Sequence, residues 1–320
     1  MKKIILNKDA DLNLLKDVNI GIIGYGNQGR AQALNLNDRN LKIKIGLRKE
    51  SPTARKVIKD GLEHSIISEV VKWSDLICIL IPDHQIKIVF KNEILPNIKT
   101  GSTLLFSHGY AVHYNQIQIP GNINIIMVAP SGGGAMVRSE FLKGSGVPNL
   151  IAIEQDISNS SFEIAKSYSR AIGGTRVCAF LSTFSEETET DLFGEQAILT
   201  GGIPWLLNKS FKVLIEEGYD PIVSWFVCYY ELKTIVDLFH SKGFDYLFDS
   251  ISETAKYGGL TRGKFLMDDN FDLKLKNMIK NIKNGDFNNE LSKAKNFDKN
   301  RSSFKELEGY TQKMLKLLKD

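Results

Sequence analysis

Residues 20–31, Ile-Gly-Ile-Ile-Gly-Tyr-Gly-Asn-Gln-Gly-Arg-Ala, carry a G-x-G-x-x-G spacing at Gly24, Gly26 and Gly29. The spacing closes a β-branched apolar run and opens a helix-like one, so it predicts a strand–turn–helix unit. The three glycines serve different ends. Gly24 allows the tight turn, Gly26 lets the backbone approach a pyrophosphate, and Gly29 permits close helix–sheet packing. The helix start then offers unpaired N–H groups and a partial positive charge to an anion. The turn, with Tyr25, Asn27 and Gln28 inside it, is therefore expected to bind a dinucleotide.

The rest of the first half fits that start. Apolar runs at 18–23, 42–47, 76–81, 102–107, 123–128 and 150–153 alternate with helix-like stretches such as 29–37, 54–60 and 67–72. Near-continuous apolar strands are the mark of a parallel sheet covered on both faces. Alternation of this kind predicts a Rossmann-type doubly wound α/β domain. From Ser185 onward no strand is evident, and helices are expected over 186–199, 205–217, 222–241, 244–255, 273–282 and 305–318. Asn284-Gly285 and 296–302 read as loops. The division is placed at 1–182 for the dinucleotide domain and 183–320 for an all-α domain.

Bulk properties exclude several classes. The 320 residues hold 41 basic and 37 acidic side chains, a net charge of +4 with no basic face in the pattern. That does not suggest a nucleic-acid partner. The lysine-rich stretch from Lys274 to Lys319 is interleaved with acids and reads as a solvated helical surface. Three scattered cysteines, Cys78, Cys178 and Cys228, form no disulfide framework. The start of the chain lacks a leader-like apolar segment. The longest apolar run, residues 76–81, is far short of the ~20 needed to cross a bilayer. A cytoplasmic protein with no membrane partner is expected.

Strand ends narrow the ligand. The second strand runs into Arg48-Lys49-Glu50-Ser51-Pro52-Thr53, where an NAD site would usually carry an acid for the ribose 2′-hydroxyl. Arg48 and Lys49 supply charge and Ser51 and Thr53 hydroxyls, a set suited to a 2′-phosphate. NADPH is therefore preferred to NADH. The next two strand ends present Pro82-Asp83 and His108-Gly109. Their position makes His108 a better functional candidate than His64, His84, His113 or His240.

Asp191 and Glu195 stand at i, i+4 in residues 186–196, Glu-Glu-Thr-Glu-Thr-Asp-Leu-Phe-Gly-Glu-Gln, so both carboxylates share a helix face. Leu192, Phe193 and Ile198 are expected to anchor that helix. Two hard oxygen ligands on a rigid face suit Mg²⁺. Spacing alone favours a solvated acidic helix over a metal site.

The chain resembles ketol-acid reductoisomerase in its shorter form, over nearly its whole length. The resemblance is carried by the glycine turn, by 106–109 (Phe-Ser-His-Gly), 146–148 (Gly-Val-Pro) and 187–196, and by 231–233 (Glu-Leu-Lys), 235–238 (Ile-Val-Asp-Leu) and 250–252 (Ser-Ile-Ser). It implies NADPH, two Mg²⁺ ions, an alkyl shift in an acetohydroxy acid and reduction of the resulting 2-keto acid. It further implies that Asp191 bridges the metals, Glu195 ligates one, and Glu231 serves the second from a partner subunit. Ser252 would hold the substrate carboxylate and His108 would lie near the nicotinamide. Pro82, Asp83 and Gly134 would border the cofactor. A knotted, interlocked helical domain and an obligate homodimer, its active site shared across the interface, are implied as well.

Five positions depart from the family pattern. Where the family has Pro-Lys-Gly-Pro-Gly, this chain has Pro130-Ser131-Gly132-Gly133-Gly134. Val227 stands where the first of two glutamates at i, i+4 is usual, with Glu231 kept as the second. Tyr230 replaces a common histidine, and Ile86 a glutamine that contacts the cofactor. The alkyl shift needs one metal on the keto group and another on the alkoxide, whereas hydride transfer needs only the nicotinamide, a polarised carbonyl or imine and a proton donor. The expectation is a reductase whose isomerase step is weak or absent. The alternatives are a full reductoisomerase, a reductase for another keto acid or an imine, and a non-catalytic ligand-binding relative. A β-hydroxyacid dehydrogenase would share the two-domain plan but needs no carboxylate metal site.

Overall fold

The computed structural model describes residues 3–295 and 297–318. Two compact units divide after Thr188, the first Met1–Thr188 and the second Glu189–Asp320.

Among the described residues, the first unit is built on nine strands: β1 (Ile4–Ile5), β2 (Ile20–Ile23), β3 (Ile43–Leu47), β4 (His64–Ile66), β5 (Leu76–Ile79), β6 (Thr103–Phe106), β7 (Asn124–Pro130), β8 (Asn149–Gln155) and β9 (Ala179–Leu181). They form one sheet in the order β1-β9-β8-β7-β6-β5-β2-β3-β4. All pairings are parallel except β1–β9 and β7–β8. All six strands expected from the sequence are present. The three missed ones, β1, β4 and β9, are two or three residues long, too short for a periodic signal.

Every residue of β2, β5 and β6 is buried, which is why these runs are apolar on both faces. Alternate side chains feed two cores. Ile20, Ile22, Leu76, Cys78 and Leu105 lie in one; Ile23, Ile77, Ile79, Leu104 and Phe106 lie in the other. Burial pushes the Cys78 thiol up to about 12. The three cysteines are free. Seven helices among the described residues belong to this unit: α1 (Asn27–Asn37), α2 (Ala54–Lys59), α3 (Ile67–Trp73), α4 (Asp83–Val89), α5 (Tyr110–His113), α6 (Gly134–Leu142) and α7 (Ser161–Ile172). The chain leaves β2 toward β3 and returns to β5 on the other side. The strand order reverses there, opening a crevice at the carboxyl ends of β2 and β5.

Helix α8 (Phe184–Gly194) leads into the second unit, which adds α9 (Gly202–Glu216), α10 (Pro221–Trp225), α11 (Glu231–Lys242), α12 (Phe244–Ser250), α13 (Glu253–Leu266), α14 (Asp269–Lys283), α15 (Asp286–Lys293) and α16 (Lys305–Leu317). Its core is small: Phe211, Trp225, Leu307 and Met314, with the Trp225 indole donating to Thr311 Oγ1 at 2.9 Å. No strand occurs in this unit among the described residues.

Several sequence expectations are corrected here. The stretch 244–255 is two helices, because the Ser252 hydroxyl accepts from the Ala255 N–H at 3.2 Å and starts a new one. Helix α13 was missed because Gly258, Gly259 and Gly263 weaken its pattern. Within the expected loop 296–302, residue 296 lies outside the described residues and Phe297–Phe304 is 3₁₀-helical. The expected helices over 186–199 and 222–241 each contain a π-helical turn, Glu195–Leu199 and Phe226–Tyr230. The first of these turns changes the helix phase, and Ile198 is 52% exposed rather than an anchor. Leu192 is buried as expected. Among the described residues, no helix is long and apolar enough to cross a membrane.

Candidate active site

The crevice holds two adjoining cavities within the first unit. One, of about 220 Å³, is lined by Gly24, Gly26, Arg48, Ser51, Thr53 and Gln85 among others. The second, of about 280 Å³, continues over Asn27, Gln28, Asp83, Ser107 and His108. Gly26, Leu80, Ile81 and Pro82 border both.

The glycine turn is shaped as the sequence requires. Gly24 has φ +100°, and a Cβ there would lie 2.7 Å from the Leu80 carbonyl oxygen. A Cβ on Gly29 would lie 2.4 Å from the Gly24 carbonyl, so helix and turn are in contact. At Gly26 a Cβ would meet nothing, so that backbone faces open space. This cradle fits a pyrophosphate. Gly134 supports it from behind: a Cβ there would lie 2.1 Å from the Asn27 carbonyl.

The basic loop after β3 is only partly in the cavity. Arg48, Ser51 and Thr53 line it, whereas Lys49 is exposed and is not among the lining residues. Glu50 turns the chain with φ +58°. Tyr25 borders the first cavity, but its phenol is buried and donates to Asp60 Oδ2 at 2.8 Å. Arg30 makes a two-pronged pair with the same carboxylate at 2.7 and 2.8 Å. The guanidinium holds the Asp60 carboxyl down at about 2, with the Tyr25 hydroxyl assisting and burial opposing. The carboxylate thereby ties the end of α2 to the glycine turn and α1.

At the other end, His108 Nδ1 lies 3.0 Å from Glu187 Oε1, and the Gly109 N–H donates to Glu187 Oε2 at 2.7 Å. One carboxylate thus grips two successive residues at the end of β6. Gly109 must be glycine for this: a Cβ would lie 2.5 Å from Thr188 Oγ1 and 2.7 Å from the Phe184 carbonyl. Burial raises the Asp83 carboxyl; the neighbouring His108 opposes that rise and Glu187 reinforces it. The sequence pattern assigned Glu187 no role, and a carboxylate four residues before Asp191 on one helix was its available signal. Gln85 was also missed. It lines the first cavity one position before the buried Ile86.

The remaining expected residues belong to α8 and the helical unit. Asp191 follows Glu187 by one turn of α8, and Glu195 opens the π-helical turn after it. Glu231 opens α11 directly after the other π-helical turn, which contains Val227 and Tyr230. Asp191, Glu195, Glu231 and Ser252 are exposed. Hard oxygen donors with room for water fit Mg²⁺, and π-turns commonly mark functional sites. Val227 offers no donor atom. Tyr230 packs its ring against Trp225, with centroids 5.8 Å apart. In the first unit, the Ser131 N–H donates to the Pro148 carbonyl at 2.8 Å.

The family model described as acetohydroxy acid isomeroreductase, NADPH-binding domain, matches residues 14–178, and that for the ketol-acid reductoisomerase C-terminal domain matches residues 184–317. The chain belongs to the ketol-acid reductoisomerase family. It is 47% identical over 280 residues to ketol-acid reductoisomerase (NADP(+)) of Petrotoga mobilis, covering 88% of this chain and 85% of that one. With the enzyme of the same name from Methanocaldococcus jannaschii it shares 44% over 292 residues, 91% of this chain and 88% of the other. A solved NADH-preferring ketol-acid reductoisomerase from an uncultured archaeon superimposes with a TM-score of 0.94 at 34% identity, covering 98% and 99% of the two chains. A semialdehyde dehydrogenase NAD-binding protein of Cupriavidus necator, at 14% identity and TM-score 0.63 over 84% of this chain and 99% of that one, shares the fold alone.

Proposed function

We propose that this family member is an NADPH-dependent, Mg²⁺-assisted oxidoreductase that reduces branched 2-keto acids, and that its alkyl-migration step is weak or absent. The observation that carries the reading is the pair of adjoining cavities, running from Arg48, Ser51 and Thr53 past open Gly26 to the His108–Glu187 pair.

When bound, the dinucleotide supplies hydride and the divalent ion polarises the substrate's oxygens. Arg48 contributes charge, and Ser51 and Thr53 hydroxyls, to a 2′-phosphate. Gly24, Gly26 and the start of α1 cradle the pyrophosphate. Glu187 orients the His108 imidazole through Nδ1, and His108 would exchange a proton with the substrate. Asp191, Glu195 and Glu231 would hold the metal, and Ser252 would anchor the substrate carboxylate. Val227 cannot add the second donor that an alkoxide-stabilising metal wants, and Ser131 cannot add a cation. Together these two positions remove one negative and one positive group and leave the formal charge of the site unchanged. That pattern suits remodelling toward reduction.

Large apolar side chains such as Val223, Tyr257, Leu260, Phe265 and Leu266 are exposed on the helical unit. Such a surface favours an interlocked homodimer in which Glu231 and Ser252 serve the partner's site. A cytoplasmic setting completes the proposal. A second reading, full reductoisomerase activity, is favoured by the names of relatives 41–47% identical to this chain.

The test is NADPH oxidation with 3-hydroxy-3-methyl-2-ketobutyrate and simple keto acids, with Mg²⁺ or with EDTA. Metal-dependent turnover above that of an Asp191→Asn variant supports the proposal. NADPH binding without turnover on any of these substrates would remove the catalytic reading and leave a ligand-binding relative.

A further inference from the structure

Helix α1 presents an unusual stripe to the interior. Gln28, Gln32 and Asn35 follow one another at helical spacing, and Gln32 and Asn35 are fully buried. A buried amide is tolerated only when its donors and acceptor are satisfied, and the Gln32 amide meets that condition through three elements. Its Nε2 donates to Gln28 Oε1 and to Ser107 Oγ, each at 3.0 Å. Its Oε1 accepts from the buried Tyr168 hydroxyl at 2.8 Å.

The direction of every bond follows from one backbone group. The Gly132 carbonyl can only accept, so Gln28 must point Nε2 at it, 2.8 Å away. Gln28 Oε1 then faces Gln32, whose Nε2 must point back. The Ser107 hydroxyl accepts from that same Nε2, and its own proton remains to be donated. Ser107 and Gln28 both line the second cavity, beside His108. A single buried side chain therefore fixes two cavity-lining groups, on α1 and at the end of β6, together with the loop after β7.

We propose that Gln32 is a positioning residue for the nicotinamide half of the bound dinucleotide: it turns the Ser107 hydroxyl into a donor toward the ribose or carboxamide oxygens in the second cavity, and it holds Gln28 against the Gly132 carbonyl. The proposal rests on reading the two cavities as the cofactor site. Gln32 touches no ligand itself. The adenosine end of the site, with Arg48, Ser51 and Thr53, lies in the first cavity and is outside this relay.

The experiment measures dissociation constants for NADPH and for 2′,5′-ADP, which carries only the adenosine end, on the full-length protein. Gln32→Leu removes the relay. Gln32→Met, an unbranched apolar side chain of similar length that offers Ser107 no amide donor, serves if the leucine variant does not fold. Either variant is expected to weaken NADPH about tenfold, the size of one lost hydrogen bond to a fixed partner, and to leave 2′,5′-ADP within about twofold. Ser107→Ala should give a similar loss, and adding it to the Gln32 variant should cost little more, as expected for residues acting as one unit. Equal weakening of both ligands, no weakening of NADPH, or fully additive losses would each overturn the proposal. Wild-type protein that binds neither ligand would instead overturn the reading of the cavities as a cofactor site.

Discussion

The two units place their functional groups in opposite ways. In the first, three groups that border the cavities are held from behind by other side chains: His108 by Glu187, Tyr25 by Asp60 and Ser107 by Gln32. In the second, the one buried apolar cluster among the described residues is four side chains and their partners, and Glu231, Ser252 and Val227 are exposed. A single chain thus pre-organises the proposed cofactor half and leaves the residues proposed for metal and substrate on a surface. We read the contrast as a cofactor site complete in one chain and a chemical site completed by a second chain.

Changes in the helical unit should therefore alter turnover without altering cofactor affinity. Asp191→Asn is expected to lower the rate of keto acid reduction about 10³-fold, the scale of removing direct charge stabilisation, with the NADPH dissociation constant within about twofold. A matching loss of NADPH affinity would break the contrast. Next in size is Glu187→Ala, which unanchors His108 and the Gly109 N–H. A loss of about 10- to 100-fold in kcat is expected, a fraction of what a positioned acid–base group contributes, with a disturbed pH–rate profile. Arg48→Ala should weaken NADPH about tenfold and leave NADH nearly unchanged, because only the 2′-phosphate loses a charge-assisted bond. Equal losses for both nucleotides would place the 2′-phosphate elsewhere.

The smallest effect concerns stability. The Asp60 carboxyl is depressed from 3.8 to about 2. A depressed carboxyl contributes stability above its unfolded value and loses it as pH falls through the folded one. Its contribution should be full above pH ~5 and vanish toward pH ~2. Arg30 is 40% exposed, so solvent screening reduces the pair to about 1 kcal/mol. Denaturant midpoints of wild type and Asp60→Asn should differ at pH 7 and converge in acid.

Much of this was legible in the sequence, for physical reasons that differ by region. The glycine turn and the buried strands are short-range signals, and each glycine is fixed by a contact within one βα unit. The ends of β3 and β6 named Arg48, Ser51, Thr53 and His108 because the topology puts strand ends in the crevice. What escaped reading was long-range. Glu187 acts on His108 from 79 residues away, and Gln32 on Ser107 from 75. No local pattern encodes either pair. Lys49 differs from its neighbour Arg48 in one respect: both are exposed, but Arg48 lines the first cavity and Lys49 is not among its lining residues. In the helices, π-turns shifted the phase on which Ile198 was read as an anchor.

On the proposed function, the site is kept for hydride transfer and altered for alkyl migration at Ser131 and Val227. The most direct measurement compares 2-acetolactate with 3-hydroxy-3-methyl-2-ketobutyrate on one enzyme preparation, with saturating Mg²⁺ and NADPH. Reduction of the keto acid at least about 100-fold faster than consumption of acetolactate is predicted, a difference of about 2.7 kcal/mol in barrier height. Consumption of acetolactate at a comparable rate, yielding dihydroxyisovalerate, would contradict it.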